Sequence, residues 1–413
     1  MSQPDSPAPG RTFYIVGAGI AGLTLALALA KFGATVVVLE RNAAISEFGA
    51  GLQISPNARR VLNQLGLDSA IAAKSLEPSG IDIFPYGRRK PLVTLALGSA
   101  VRSEFGEPYV VMHRADLVDA LFKACRRFAN IDIVFNVREW DAISHARGAS
   151  ITVDQTTGGG RSGRAFAVVG ADGVHSQART RLLEGPEAKY AGRAAWRALV
   201  PMAELSDVLS TERTSVLFGP DFHLVAYPLP HRGQFNIVLF SKMRVSQARS
   251  NKVQTTPALP RALLPSARLN AILRATRTHW TFWPMYKVDT PRWSAGAIGL
   301  IGDAAHAMLP FQAQGAAMAI EDAAILAPLL MTEPDAVSAF ARYETIRRPR
   351  VARVARTAGA NGKIFHLKWP WTIGRDLVLR LQGPTSHFRR LRWLYDYHVA
   401  PETSGKVISP PPR

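Results

Sequence analysis

Arg11-Thr12-Phe13-Tyr14-Ile15-Val16-Gly17-Ala18-Gly19-Ile20-Ala21-Gly22 holds the densest structural information in the chain. Residues 11–16 form a short β-branched and aromatic run, the pattern of a buried strand. The run meets Gly17 and passes into Ile20–Lys31, an Ala- and Leu-rich segment that predicts a helix. A second apolar strand, Thr35–Leu39, ends at Glu40. In this order each glycine has a separate task. Gly17 permits the tight turn, Gly19 lets backbone approach a pyrophosphate, and Gly22 lets the helix pack on the sheet. The helix start then offers free N–H groups and the positive end of its dipole to phosphates. Glu40 lies at the spacing where an acid accepts hydrogen bonds from a ribose. The expected nucleotide contacts are therefore Gly17, Ala18, Gly19, Ile20, Ala21, Gly22 and Glu40, with Arg41 beside them. The plainer alternative is a glycine turn with a surface glutamate. Glu40-Arg41 leaves the identity of the dinucleotide open.

Two further glycine-centred stretches recur far downstream. They are Ala171-Asp172-Gly173-Val174-His175-Ser176 and Gly302-Asp303-Ala304-Ala305-His306. Together the three suggest a chain that leaves and returns to one cofactor. Asp172-Gly173 and Gly302-Asp303 resemble the paired motifs of the single-component (group A) FAD-dependent aromatic hydroxylases. That family includes salicylate hydroxylase, 3-hydroxybenzoate 6-hydroxylase and 6-hydroxynicotinate 3-monooxygenase. The run from Gly302 through Gln314-Gly315-Ala316 to Glu321-Asp322-Ala323 is similar to the family's segment over the flavin. His113-Arg114-Ala115-Asp116-Leu117 and the 49–58 stretch, Gly49 to Ala58, also resemble family signatures. The likeness covers most of residues 11–356.

This resemblance implies an α/β fold: a Rossmann-like, p-hydroxybenzoate hydroxylase-like FAD-binding domain, an inserted β-sheet substrate domain and a C-terminal helical region. The implied division gives the FAD-binding domain residues 1–78, with 1–10 as a tail, 103–184 and 286–356. Residues 79–102 and 185–285 then belong to the substrate sheet, and 357–413 to the helical end. Strands are expected at 131–137, 165–170, 195–201, 214–219, 224–228, 234–240 and 293–301. Helices are expected at Leu117–Phe128, Gln314–Leu330 and Val337–Arg356.

The implied activity consumes NADH or NADPH and O₂, and transfers oxygen to a small aromatic substrate through a flavin C4a-hydroperoxide. Such chemistry needs positioning and dryness from the protein. Within the resemblance Asp303 binds the ribityl chain, and the Gly315–Ala316 backbone meets the flavin ring. Arg114, Asp172, Ala50, Gly51 and Val137 complete the cofactor surface. Arg114 could equally be a helix-start ion pair, and Asp172 a simple Asp-Gly turn. No second glycine-rich unit for a nicotinamide is visible, which fits the family.

His223-Leu224-Val225-Ala226-Tyr227-Pro228 predicts a strand with His223 and Tyr227 on one face. A His and Tyr at this spacing line the substrate site of members acting on hydroxylated aromatic acids. His223 would take a phenol proton and Tyr227 would orient the substrate. A satisfied core histidine beside a sheet tyrosine is the competing reading. Gln53 is placed near the ring, Pro310 and Phe311 form the wall beside the flavin, and His306 supports structure. The other readings are a flavin hydroxylase or epoxidase of a lipophilic quinone-type substrate, a non-catalytic flavin-binding redox protein, and a dehydrogenase without flavin.

Composition narrows the class. A lone cysteine, Cys125, permits no disulfide framework or metal cluster within one chain, which favours a cytoplasmic location. The net charge of +19 attracts anions, yet the cations match no nucleic-acid module. The longest apolar stretch is taken as Ile20–Ala30, too short for a bilayer, so no integral membrane segment is expected. A monomer or homodimer is expected. Lys368-Trp369-Pro370-Trp371 and Arg392-Trp393-Leu394-Tyr395 interleave basic and aromatic residues. They are read either as a lid or dimer contact, or as peripheral membrane contact and access for a lipophilic substrate.

Overall fold

The structure, a computed structural model, describes residues 10–45, 50–155, 161–243, 257, 259–260, 266–277, 279–381 and 383–399. The tail up to Pro9, Gly49 and residues 400–413 lie outside the described residues. The opening unit forms as expected: β1 (Thr12–Val16), α1 (Ile20–Lys31) and β2 (Thr35–Leu39). The chain continues through β3 (Gly51–Ile54), α2 (Pro56–Gln64), α3 (Asp68–Ala72) and β4 (Ser75–Leu76). Next come β5 (Gly80–Pro85), β6 (Val93–Ala96), α4 (Ser99–Phe105), β7 (Val110–His113) and α5 (Arg114–Cys125). The middle holds β8 (Ile131–Val134), β9 (Val137–His145), β10 (Gly148–Gln155), β11 (Arg161–Ala165) and β12 (Ala167–Gly170).

The second half begins with β13 (Lys189–Pro201), β14 (Thr214–Gly219), β15 (Phe222–Leu229) and β16 (Gln234–Lys242). Then come α6 (Ala267–Thr276), β17 (Thr281–Lys287), β18 (Ser294–Ala295), β19 (Ile298–Leu300) and α7 (Asp303–His306). Four helices follow: α8 (Gly315–Thr332), α9 (Ala336–Phe365), α10 (Trp371–Leu381) and α11 (Ser386–Tyr395).

Two large sheets carry the architecture. The first has strand order β18-β19-β12-β1-β2-β8, parallel except for β18. The second has order β17-β13-β16-β15-β14-β5-β6 and is mostly antiparallel. One face of the second sheet buries Trp196, Phe222, Leu224, Phe235 and Leu239 against α6. Its other face turns toward the first sheet and its helices.

Several boundaries differ from expectation, each for a local reason. The strand expected at 131–137 breaks at Asn136, whose φ of 60° lies in the left-handed region, and Val137 starts a new strand. The 293–301 strand folds back on itself at Gly296, where φ is +58° and a Cβ would sit 2.1 Å from Ser144 Oγ. The basic helix expected to end at Arg356 runs to Phe365, and in this added part Gly362 packs against the Phe311 ring, where a Cβ would lie 2.5 Å from it. The longest apolar segment is α8, not Ile20–Ala30; 78% of its 18 residues are buried as core.

Candidate functional site

The parallel strands finish level with one another. Val16 pairs with both Leu39 and Gly170, and Gly170 pairs with Leu300, so four loops leave the same sheet edge. That edge is where open α/β sheets bind ligands. The three glycine stretches meet there. Gly17 has φ +105°, and a Cβ on it would lie 2.5 Å from the Ala171 carbonyl oxygen. A Cβ on Gly22 would overlap the Gly17 carbonyl at 1.9 Å, which fixes the helix against the turn. Gly302, at φ +59°, sits beside Ala21 and Ala319. Arg179, fully buried, donates to the Val174 carbonyl at 2.7 Å and the Ala304 carbonyl at 2.8 Å, tying the second stretch to the third.

The meeting point leaves a cradle open to an anionic ligand. The α1 start has no side-chain cap and no acid in its first turn, and Gly19 faces open space. The same holds for α8 and Gly315, with Ala316 half-buried behind it. Uncapped helix N-termini with exposed backbone suit phosphates and a polar ring edge. Glu40 braces this turn: one oxygen takes the Ala18 N–H at 3.0 Å, the other the Asn42 N–H at 2.9 Å. Val137 donates its N–H to the Glu40 carbonyl at 2.9 Å, and Arg41 is exposed nearby. A cleft of about 550 Å³ lies between Ala43–Ile45 and α5.

Arg114 opens α5, its amide on the buried Ala50 carbonyl at 2.9 Å. Gly51 donates to Asn236 Oδ1 at 2.7 Å, and a Cβ there would strike the Tyr227 ring. Asp303 is exposed at the head of α7. Asp172 spends one oxygen on the Gln177 and Ala178 amides, at 2.7 and 3.0 Å, while its other oxygen is buried without a partner among the described residues.

Behind α8 lies a buried ion network. Arg347 bonds Glu321 at 2.5 Å and Asp322 at 2.8 Å; Arg350 adds a second guanidinium on Glu321. Asp322 also accepts the Gly302 amide at 2.9 Å and His306 Nε2 at 2.6 Å, so His306 serves the loop's geometry. Asn57 joins Glu321 at 2.6 Å, linking the 49–58 motif to α8. Burial pushes both carboxyls up, but the cations more than offset it and both end below the usual range.

The substrate-side residues lie on the inner face of the second sheet. Register sets Arg193, Ala195 and Arg197 on β13 beside Val238 and Phe240 on β16, then His223, Val225 and Tyr227 on β15. His223 and Tyr227 share that face as expected, but at about 3.3 Å per residue they stand roughly 13 Å apart along the strand. His223 is 1% exposed and walled by Phe240, Phe311 and Phe365, with ring centroids at 4.6, 5.2 and 5.3 Å. Tyr227 lies at the Gly51–Asn236 seam. Gln53 accepts the Tyr109 hydroxyl, and Pro310 is exposed while Phe311 is buried.

Two residues here escaped the sequence reading. His366, just past the end of α9, places Nε2 2.7 Å from His223 Nδ1, and Arg193 Nη1 lies 2.5 Å from His366 Nδ1. A guanidinium only donates, so His366 Nδ1 must accept and its proton sits on Nε2. His223 Nδ1 then accepts, and the neutral His223 carries its proton on Nε2. Burial first lowers both histidines; the His366 ring and then Arg193 add to it at His223, and Arg193 adds to it at His366, which falls to about 3.

The fold and this cradle define an FAD-dependent hydroxylase. Residues 11–358 match the FAD binding domain family, and the chain belongs to it as an aromatic monooxygenase using FAD, NAD(P)H and O₂. The chain is 31% identical over 383 residues to 3-hydroxybenzoate 6-hydroxylase 1 of Aquipseudomonas alcaligenes, covering 92% of this chain and 96% of that one. It is 33% identical over 395 residues to a 3-amino-4-hydroxybenzoate 2-monooxygenase of Streptomyces platensis, covering 94% and 96%. Among solved structures, a salicylate hydroxylase substrate complex matches with TM-score 0.75 at 21% identity, over 96% of this chain and 97% of that one.

Proposed function

We propose that this monooxygenase hydroxylates a phenolic or heteroaromatic acid held on the inner face of β13, β15 and β16. The observation that carries the reading is the Arg193–His366–His223 chain inside an aromatic wall. Both histidines are neutral there, so the face keeps the positive charge of Arg193. The carboxylate set against Arg193, Asp221, is already held by Lys242 at 2.5 Å and Lys368 at 2.6 Å. An aromatic carboxylate complements that surplus charge.

Bound FAD supplies the activated oxygen. The chain's residues bind, orient and exclude water. Gly17 to Gly22, Glu40, Arg41, Ala50, Gly51, Arg114, Val137, Asp172, Asp303, Gly315 and Ala316 would hold the cofactor. Arg193 would hold the substrate carboxylate, with the ring among Phe240, Phe311 and Phe365. His223 changes role from the sequence expectation. Its Nδ1 is occupied and its Nε2 protonated, so it has no lone pair for a phenol proton. It would donate Nε2–H to the oxygen of a substrate that has released its phenol proton to bulk water on binding, and so hold the phenolate, which enriches the ring carbon to be attacked. Tyr227, with Gln53 behind it, would close the far end of the pocket. The same reading assigns residues 79–102 and 185–285 to the substrate half of the molecule.

The test is a panel of hydroxybenzoates and hydroxynicotinates, each beside the matching phenol without carboxylate. NAD(P)H oxidation should rise with the acids, and the product should gain one oxygen by mass. Equal or better coupled turnover of the carboxylate-free phenols would overturn the assignment.

A further inference from the structure

The helix α10 is built inside out. Its charged pair, Arg375 and Asp376, turns inward at 2.7 Å, with the Arg375 guanidinium 4.9 Å from the Phe218 ring. Its apolar side faces outward. Trp369 is 79% exposed, Trp371 73%, Ile373 62%, Leu377 55%, Val378 50% and Leu381 76%. Leu377 and Leu381 are one turn apart, and Ile373 is one turn before them, so the exposed residues form a stripe. A stripe of this size is rarely left to water.

The surroundings of the stripe are cationic. Arg380 and Lys368, the latter sharing Asp221 with Lys242, are exposed on the same segment; Arg88 lines the facing side of a cleft of about 540 Å³, and Arg89 and Lys90 are exposed next to it on the β5–β6 turn. A second copy would bring the same cations face to face, on a chain already at +19. An anionic bilayer complements them, and paired tryptophans favour the level of lipid headgroups. We propose that α10 and the preceding Trp369 dock this protein on the surface of an anionic lipid bilayer, lying in the interface without crossing it. The cleft under the helix then opens at the lipid surface. It is lined by Phe218, whose ring stacks on Phe365 at 4.8 Å, next to His223.

The test uses the full-length, FAD-loaded protein and sedimentation with vesicles of phosphatidylcholine, with or without phosphatidylglycerol. The protein should pellet with the anionic vesicles, be released by high salt, and show blue-shifted tryptophan emission. The double variant Trp371→Ser, Leu377→Ser should weaken vesicle binding by on the order of tenfold. Arg88→Glu with Arg380→Glu should abolish the preference for phosphatidylglycerol. Both variants should keep wild-type turnover of a water-soluble substrate, which separates lost docking from lost folding. Absence of vesicle binding by the wild type would overturn the proposal. So would a dimer in ultracentrifugation that the Trp371→Ser, Leu377→Ser pair dissolves.

Discussion

The two sides of the site solve opposite problems with buried polar groups. Behind α8, charges are kept charged: Arg347 and Arg350 face Glu321 and Asp322 in a fully paired network. On the inner face of the second sheet, titratable groups are kept neutral: His223 and His366 are buried among phenyl rings beside a guanidinium. The first arrangement holds a loop where it must be; in the proposed function the second would leave one directed proton for a substrate. Positioning would then use fixed charge, and chemistry a fixed tautomer.

The sharpest break in that contrast is Arg347→Met. Removing Arg347 takes a buried cation from two carboxylates, leaving Glu321 with Arg350 and Asp322 with His306; breaking a buried pair costs about 3–5 kcal/mol. Chemical denaturation should show that loss, with FAD released early because Asp322 no longer secures the Gly302 amide. A shift under about 1 kcal/mol would mean that Arg350 and His306 suffice alone.

His366→Leu acts on the other side and should spare folding and flavin. Losing the bond that fixes the His223 tautomer should lower coupled hydroxylation by about 10- to 100-fold. His366→Gln, which can both accept and donate, should recover part of it. Unchanged coupling in His366→Leu would remove the chain from the mechanism.

The smallest effect is on stability against pH. Unfolded histidines take protons as pH falls through about 6.5. Folded His366 resists until about 3, so the unfolded state binds more protons in between. Stability is therefore full above the unfolded value and is lost as pH falls from about 6.5 toward 3, by at most about 1.4 kcal/mol per pH unit per histidine. Denaturation midpoints between pH 6.5 and 5 should fall less steeply in His366→Leu than in wild type; equal slopes would contradict a neutral His366.

The same contrast explains what was legible in the sequence. The nucleotide side is written in local constraints. Gly17 and Gly302 need left-handed φ, Gly22 needs the absence of a side chain, and each requirement leaves a visible residue. The proposed substrate side is assembled from four remote places: Arg193, His223, Phe311 and His366. Only His223 and Phe311 stood in recognisable patterns. His366 had no signal, because its position depends on α9 running past the charged run to Phe365. The role of Asn236 was equally hidden, since a polar residue in an apolar strand does not announce that it receives Gly51 N–H. The inside-out α10 was legible as a Trp-rich basic segment, but its outward face was not.

The most direct test of the account is the ionisation state of a bound phenolic acid. With 3-hydroxybenzoate added to the FAD-loaded protein near neutral pH, the near-ultraviolet difference spectrum reports phenol or phenolate. Free phenols ionise at about 10. The phenolate band is expected in wild type, and its loss in His366→Leu at saturating ligand. A neutral phenol bound to wild type would contradict it.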